Sequence, residues 1–299
     1  MRTRSAIAEL NARALRHWAL PALDEDADKE SRGRVVVIAG SREIPGAALL
    51  AATAALRAGA GKLLIATAQS VAIPMAIAMP EARVIGLPET SSGGLARDGV
   101  RRVEEAVDAA DAVLVGPGFA DEQASVRFVL RLLPMAAKAT LVLDALAMTV
   151  QREIQRFEQP VLLSPHAGEM AQLCGLTKEA VEDHEGCALD AARAWNACVV
   201  LKGAATRIAL PSGQQWQHQA SVPGLATSGS GDVLAGLIAG LAARGAPREQ
   251  AASWGVVLHS LAGARLARAL GPLGLMAREL PGEVPALMHE LRPRRTKRR

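Results

Sequence analysis

Tyrosine is absent from this 299-residue sequence, and aromatic residues make up only 2% of it. Packing therefore falls to alanine- and leucine-rich helices, which suit either a core or a contact between subunits. No apolar run reaches the roughly 18 residues that cross a bilayer, and the N-terminus, with Arg2, Arg4 and Glu9, has no signal-peptide core. A cytoplasmic protein with no membrane partner is expected. Cysteine is scarce: Cys174, Cys187 and Cys198 are odd in number and show no C-x-x-C spacing, which argues against a disulfide framework or a zinc site and for buried thiols. A basic excess is also missing from the body of the chain. The formal charge is +4, but Arg292, Arg294, Arg295, Lys297, Arg298 and Arg299 contribute six positive charges in the last eight residues, and without them the balance is −2. The tail reads as a solvated, disordered end, and no nucleic-acid partner is expected.

Half of the residues are hydrophobic, enough for a sizeable core. Short aliphatic runs at 34–39, 62–67, 112–115, 140–143, 160–163 and 198–201 alternate with helical patterns at 46–57, 98–109, 121–132, 168–174 and 187–196. That rhythm belongs to βαβ units, and strands apolar throughout are those of a parallel sheet covered on both faces. A hairpin is expected at 206–210 and 214–219, and helices at 233–243, 248–270 and 276–291. No repeat or long linker divides the chain, so one domain over 1–299 is expected. Within it, 1–32 would hold an N-terminal helix near 5–16 and a charged connector at 24–32, and 292–299 the basic tail.

The most informative stretch is Ala226-Thr-Ser-Gly-Ser-Gly-Asp-Val-Leu-Ala-Gly236. Gly229 and Gly231 allow a tight turn that brings backbone N–H groups of Gly229, Ser230 and Gly231 toward an anion, and the helix beginning near Asp232 adds its positive end. Asp232 beside such an anion can take a proton from a hydroxyl that attacks a phosphoryl group. The small apolar residues that follow give the loop a rigid base. Other strand ends carry Gly40 to Ala47, Gly116-Pro-Gly118, Asp144, Ser164-Pro-His-Ala-Gly-Glu169 and Lys202-Gly-Ala-Ala-Thr206, which together outline one crevice. Gly59-Ala-Gly-Lys62 imitates a Walker A loop but has Leu56 and Leu63 where glycine and Ser/Thr are needed. His166 and Glu169 suggest a metal pair but have no evident third ligand.

Taken in order, AGSREIPGAALLAATAALRAGAGKLLIAT (39–67), VGPG (115–118), LLSPHAGEM (162–170), VVLKGAAT (199–206) and ATSGSGDVLAG (226–236) resemble the ADP-dependent NAD(P)H-hydrate dehydratase family. The resemblance covers about 33–270 and implies a ribokinase-like α/β fold: a central, mostly parallel sheet with helices on both faces in three layers. It implies repair of the hydrated cofactors NADHX and NADPHX, with ADP as phosphoryl donor and AMP and phosphate as products. By the same resemblance Ala47, Gly118, His166 and Asp232 contact the hydrated cofactor, while Lys202, Gly203, Ala204, Ala205, Thr206 and Gly231 hold the nucleotide. Asp232 is the base. Glu169 would hold Mg²⁺ through water, and His166 reads equally as a hydrogen-bonding residue behind the site. The chain departs from the family pattern at Ser228, at Ala145-Leu-Ala-Met148, at Ala220-Ser-Val-Pro-Gly224, which lacks the usual asparagine, and at Glu30-Ser-Arg-Gly33. A homo-oligomer is implied, a tetramer being one form. Some 30 residues before the first strand are too few for an epimerase domain, so a separate epimerase is the expected partner. Two rivals stand beside this reading: a vitamin-precursor kinase of the same fold, and a non-catalytic nucleotide-binding protein.

Overall fold

The computed structural model describes residues 7–22, 28–219 and 222–292. The expected disordered tail therefore lies outside the described residues beyond Arg292, as do parts of the N-terminal helix and connector, and two residues of the asparagine-lacking segment.

Ten strands among the described residues form one sheet: β1 (Ala8–Glu9), β2 (Arg34–Ile38), β3 (Lys62–Ala68), β4 (Arg83–Leu87), β5 (Ala112–Val115), β6 (Thr140–Leu143), β7 (Val161–Leu163), β8 (Cys198–Leu201), β9 (Ala205–Ala209) and β10 (Gln215–Gln219). Their spatial order is β1-β10-β9-β8-β7-β6-β5-β2-β3-β4. Among the described residues only the β8–β9 and β9–β10 strand pairs are antiparallel. Alternate residues of each strand feed two cores. Val35, Val37, Leu114 and Val142 meet the helices Gly46–Arg57, Ser230–Ala243 and Arg248–Leu270 on one face. Val36, Ile38, Val115 and Leu141 meet Glu122–Leu132 and Cys187–Trp195 on the other. This is the expected three-layer arrangement, and it follows from strands that are apolar on both sides.

Connections run outward in opposite directions from β2 and β5, so their adjacent C-terminal ends form the switch point where open α/β sheets bind ligands. A second feature anchors the site. Helices Gly46–Arg57 and Ser230–Ala243 approach so closely that a Cβ on Gly236 would overlap the Ala51 carbonyl.

Several elements differ from expectation. The N-terminal helix is Ala12–His17, because Asn11 Oδ1 accepts from the N–H groups of Arg13 and Ala14, both at 3.0 Å, and caps it there. Ala8 and Glu9 pair instead with β10. The helix expected at 98–109 is a 3₁₀ turn, Arg97–Arg102, followed by a short helix, Glu104–Asp108. At 276–291 a 3₁₀ turn, Ala277–Glu279, precedes the helix Leu280–Glu290, where Pro281 sits in the first turn. Edge strand β4 and the helix Ala72–Ala78 had no sequence counterpart. Cys174 is exposed rather than buried, whereas Cys187 and Cys198 are buried. No helix among the described residues is long and apolar enough to cross a membrane.

Candidate active site

Gly229 turns the chain into the helix Ser230–Ala243 with φ +84°, a conformation that favours glycine. A Cβ there would also meet Leu50 Cδ1 at 2.5 Å. Ser228 is not among the described residues with positive φ, so the turn needs glycine at 229 and tolerates serine at 228. The first-turn N–H groups of a helix have no intrahelical acceptor. Here the Ser230 N–H donates to Thr227 O at 3.2 Å, so of the three expected anion-hole donors Ser230 is engaged, whereas Gly229 and Gly231 stay open and Asp232 adds a further open N–H. The helix starts at Ser230, so Asp232 occupies its third position. Burial, then the neighbouring Asp144 charge, pushes the Asp232 carboxyl up to about 6.

Lys202 is the cation that offsets this acidic surrounding. Its Nζ lies 3.1 Å from Asp144 Oδ1 and 3.8 Å from Glu169 Oε2. Burial acts to lower the Lys202 pKa, but Asp144 and Glu169 outweigh it and the ammonium is held above its ordinary range. Asp144 sits directly after β6, fixed by the Ser164 hydroxyl, which donates to Oδ1 at 2.7 Å. The next residue, Ala145, has φ +48°, a strained conformation of the kind that accompanies functional sites. A Cβ on Gly231 would lie 3.5 Å from Lys202 Nζ, so the lysine stands at the mouth of the hole.

His166 and Glu169 form a reciprocal cap on the helix Ala167–Cys174. His166 Nδ1 accepts from the N–H of Gly168 at 3.0 Å and of Glu169 at 3.2 Å, and Glu169 Oε2 accepts from the His166 N–H at 2.8 Å. Nδ1 is thus engaged and only the exposed Nε2 side of the ring can meet a ligand. No three His, Cys, Asp or Glu side chains converge as a metal cage among the described residues. With one oxygen of Glu169 engaged and the other open, the donors fit Mg²⁺ held through water and nucleotide phosphates, the manner in which that ion usually binds.

A cavity of about 750 Å³ brings together His166, Lys202, Gly203, Ala204, Thr206, Ser230 and Gly231, but not Ala205, Glu169 or Asp232. Ala47 and Gly118 lie apart from it, at the switch point. They adjoin one another: a Cβ built on Gly118 would be 2.7 Å from that of Ala47. Leu50, one turn beyond Ala47, packs on Gly229, which ties the helix carrying Ala47 to the loop before Asp232, and Ala47 itself is only 3% exposed. Two cavity histidines escaped sequence reasoning, His218 and His259. His259 Nε2 is 3.0 Å from Ser230 Oγ and 3.1 Å from Ser230 O, and burial lowers its pKa to about 4. Neither histidine lies in a recognisable motif; only the helical and strand pairing across the fold brings them here.

A doubly wound α/β sheet, open N–H donors at a helix N-terminus and an aspartate of raised pKa beside them make a site able to hold an anion and take up a proton, the arrangement of a small-molecule enzyme. A family model described as NAD(P)H-hydrate dehydratase matches residues 35–285. The ADP-dependent (S)-NAD(P)H-hydrate dehydratase of Xanthomonas campestris pv. campestris is 48% identical, over 95% of this chain and 97% of that protein. A ribokinase-like superfamily protein from Enterococcus faecalis superposes with a TM-score of 0.84 at 26% identity, covering 96% of each chain. The Bacillus subtilis ADP/ATP-dependent NAD(P)H-hydrate dehydratase, co-crystallized with ATP/Mg²⁺, does so with a TM-score of 0.81 at 30% identity, over 95% of this chain and 99% of that one. The chain belongs to the NAD(P)H-hydrate dehydratase family. It spans about half the length of relatives named bifunctional NAD(P)H-hydrate repair enzymes.

Proposed function

We propose that this chain returns the S epimers of NADHX and NADPHX to NADH and NADPH, using ADP and releasing AMP and phosphate. The observation that carries the reading is Asp232, a carboxylate of pKa about 6 in the first turn of the anion-hole helix. At neutral pH it is mostly ionised yet basic enough to accept a proton, the condition for a general base.

Asp232 takes the proton of the ring hydroxyl as that oxygen bonds to the β-phosphorus of ADP and AMP departs. The carbon–oxygen bond then breaks, phosphate leaves with its electron pair, and loss of a proton from the neighbouring ring carbon restores the dihydronicotinamide. The open N–H groups of Gly229, Gly231 and Asp232 steady the migrating phosphoryl group, next to the Ser230 N–H that Thr227 engages. Lys202, Gly203, Ala204, Ala205 and Thr206 hold the nucleotide, with the Lys202 ammonium against its phosphates. Ala47, Gly118 and the Nε2 side of His166 hold the hydrated cofactor. Glu169 would hold Mg²⁺ through water, and the ion would supply neutralising charge to the phosphates.

The ten-stranded sheet supports one domain over the described residues, and relatives named bifunctional repair enzymes support an epimerase as functional partner. A homo-oligomer acting in the cytoplasm completes the reading. The test is recovery of dihydronicotinamide absorbance from hydrated NADH with Mg²⁺ and ADP, run beside Asp232→Ala. Recovery that needs nucleotide and is lost in the variant is expected; no recovery with either ADP or ATP would overturn it.

A further inference from the structure

The cavity beside the anion hole combines two kinds of wall. Lys202, Ser230 and Gly231 supply its charged and donor groups, while Val222, Pro223, Leu225 and Val256 supply apolar ones. The first set suits phosphates and the second a flat base, a division common in small-molecule sites.

His218 also belongs to the wall and is 7% exposed. It lies on β10 opposite Thr206, so the nucleotide loop and this ring share one side of the hairpin. Its Nδ1 is 2.8 Å from the Leu10 carbonyl oxygen. A carbonyl can only accept, so Nδ1 carries the hydrogen and, in the neutral ring, Nε2 is an acceptor. That Nε2 is buried and has no hydrogen-bond partner among the described residues. An unpaired buried acceptor costs about 1–3 kcal/mol, a cost removed by any ligand that brings a donor to it. His259 is not equivalent, since its Nε2 is committed to Ser230 at the anion hole.

We propose that His218 selects the nucleobase, its Nε2 accepting a hydrogen bond from the exocyclic amino group of adenine. This rests on the cavity being the nucleotide site. Adenine carries an amino donor where guanine and hypoxanthine carry a carbonyl oxygen. Against Nε2 that oxygen sets acceptor against acceptor, so IDP loses the bond and adds a repulsion while keeping the shape and phosphates of ADP.

Equilibrium binding of ADP and IDP to the full chain, with hydrated-NADH turnover measured for each, tests the proposal. ADP is expected to bind at least about tenfold more tightly than IDP. His218→Phe should abolish that ratio by weakening ADP, leaving IDP within about twofold of the parent value. Equal affinities in the parent chain would overturn the proposal, as would a folded His218→Phe chain that keeps the parental ratio. If that variant does not fold, the parent-chain comparison still decides. Preference for ADP without turnover keeps base selection and removes the dehydratase reading. Turnover with equal KM for both nucleotides does the reverse, and binding of neither removes both.

Discussion

Lys202 Nζ and Asp144 Oδ1 stand 3.1 Å apart, joining the end of β8 to the end of β6 beside the anion hole. The pair has to be read with Glu169 and Asp232, because one ammonium faces three carboxylates. Lys202 holds down the charge repulsion that would otherwise raise Asp232 further, and it positions positive charge where nucleotide phosphates would lie.

Lys202→Met should therefore raise the KM for ADP by about tenfold or more and move the acidic limb of the activity profile upward from its parental position, since the cation that lowers the Asp232 pKa is gone. Steady-state kinetics across pH 5 to 8 would show both effects. An unshifted limb would mean that Asp232 does not titrate in concert with this lysine.

The same aspartate sets the parental pH dependence. A base must be ionised, so kcat/KM should rise with pH through about 6 and level off above it, the pKa to which burial and Asp144 push the group. Asp232→Asn should lose about 10²- to 10⁴-fold in rate and show no such limb in what remains. A parental profile flat from pH 5 to 8 would remove Asp232 from the role of base.

Holding Asp232 ionised in this setting also costs stability. Its folded pKa of about 6 lies above the ordinary aspartate value of 3.8, so the folded chain binds the proton more tightly. The associated stabilisation is present at low pH and is lost as pH rises through about 6. At pH 8 Asp232→Asn should be more stable than the parent by about 1–2 kcal/mol after allowing for its incomplete burial, and the gain should vanish near pH 3. Urea unfolding at both pH values checks this.

How much of this was legible in the sequence depends on the kind of element. The interior strands were readable because both faces are apolar, and the loop at Gly229 to Asp232 because positive φ and a helix start leave a local signature. β4 was not readable: Arg83-Val-Ile-Gly-Leu87 is a partly exposed edge strand with a glycine that weakens its pattern. β1 exists only because β10 offers it a partner. His166 sits in a strand-to-helix connection, as Pro165 before it leads one to expect, but its reciprocal cap with Glu169 needed the backbone geometry to be seen. His218 and His259 reach the cavity from β10 and from the helix Arg248–Leu270, and nothing in their own neighbourhoods in sequence marks them.

The close approach of the helices Gly46–Arg57 and Ser230–Ala243 gives the sharpest packing test. A Cβ at Gly236 would overlap the Ala51 carbonyl, and backbone cannot rotate away as a side chain can, so the two helices must separate. Gly236→Ala should cost about 3 kcal/mol, at the upper end of the usual overpacking range. Because the displaced helix begins at the anion hole and its neighbour carries Ala47, ADP affinity and turnover should fall together, although Gly236 touches neither ligand site. Gly46→Ala is the internal control: a Cβ there meets nothing within 4 Å and the position opens a helix, so a gain of about 0.4–1 kcal/mol is expected. Urea unfolding of both variants beside ADP titrations would decide. A Gly236→Ala chain as stable and as active as the parent would show that helix contact does not hold the anion hole in place.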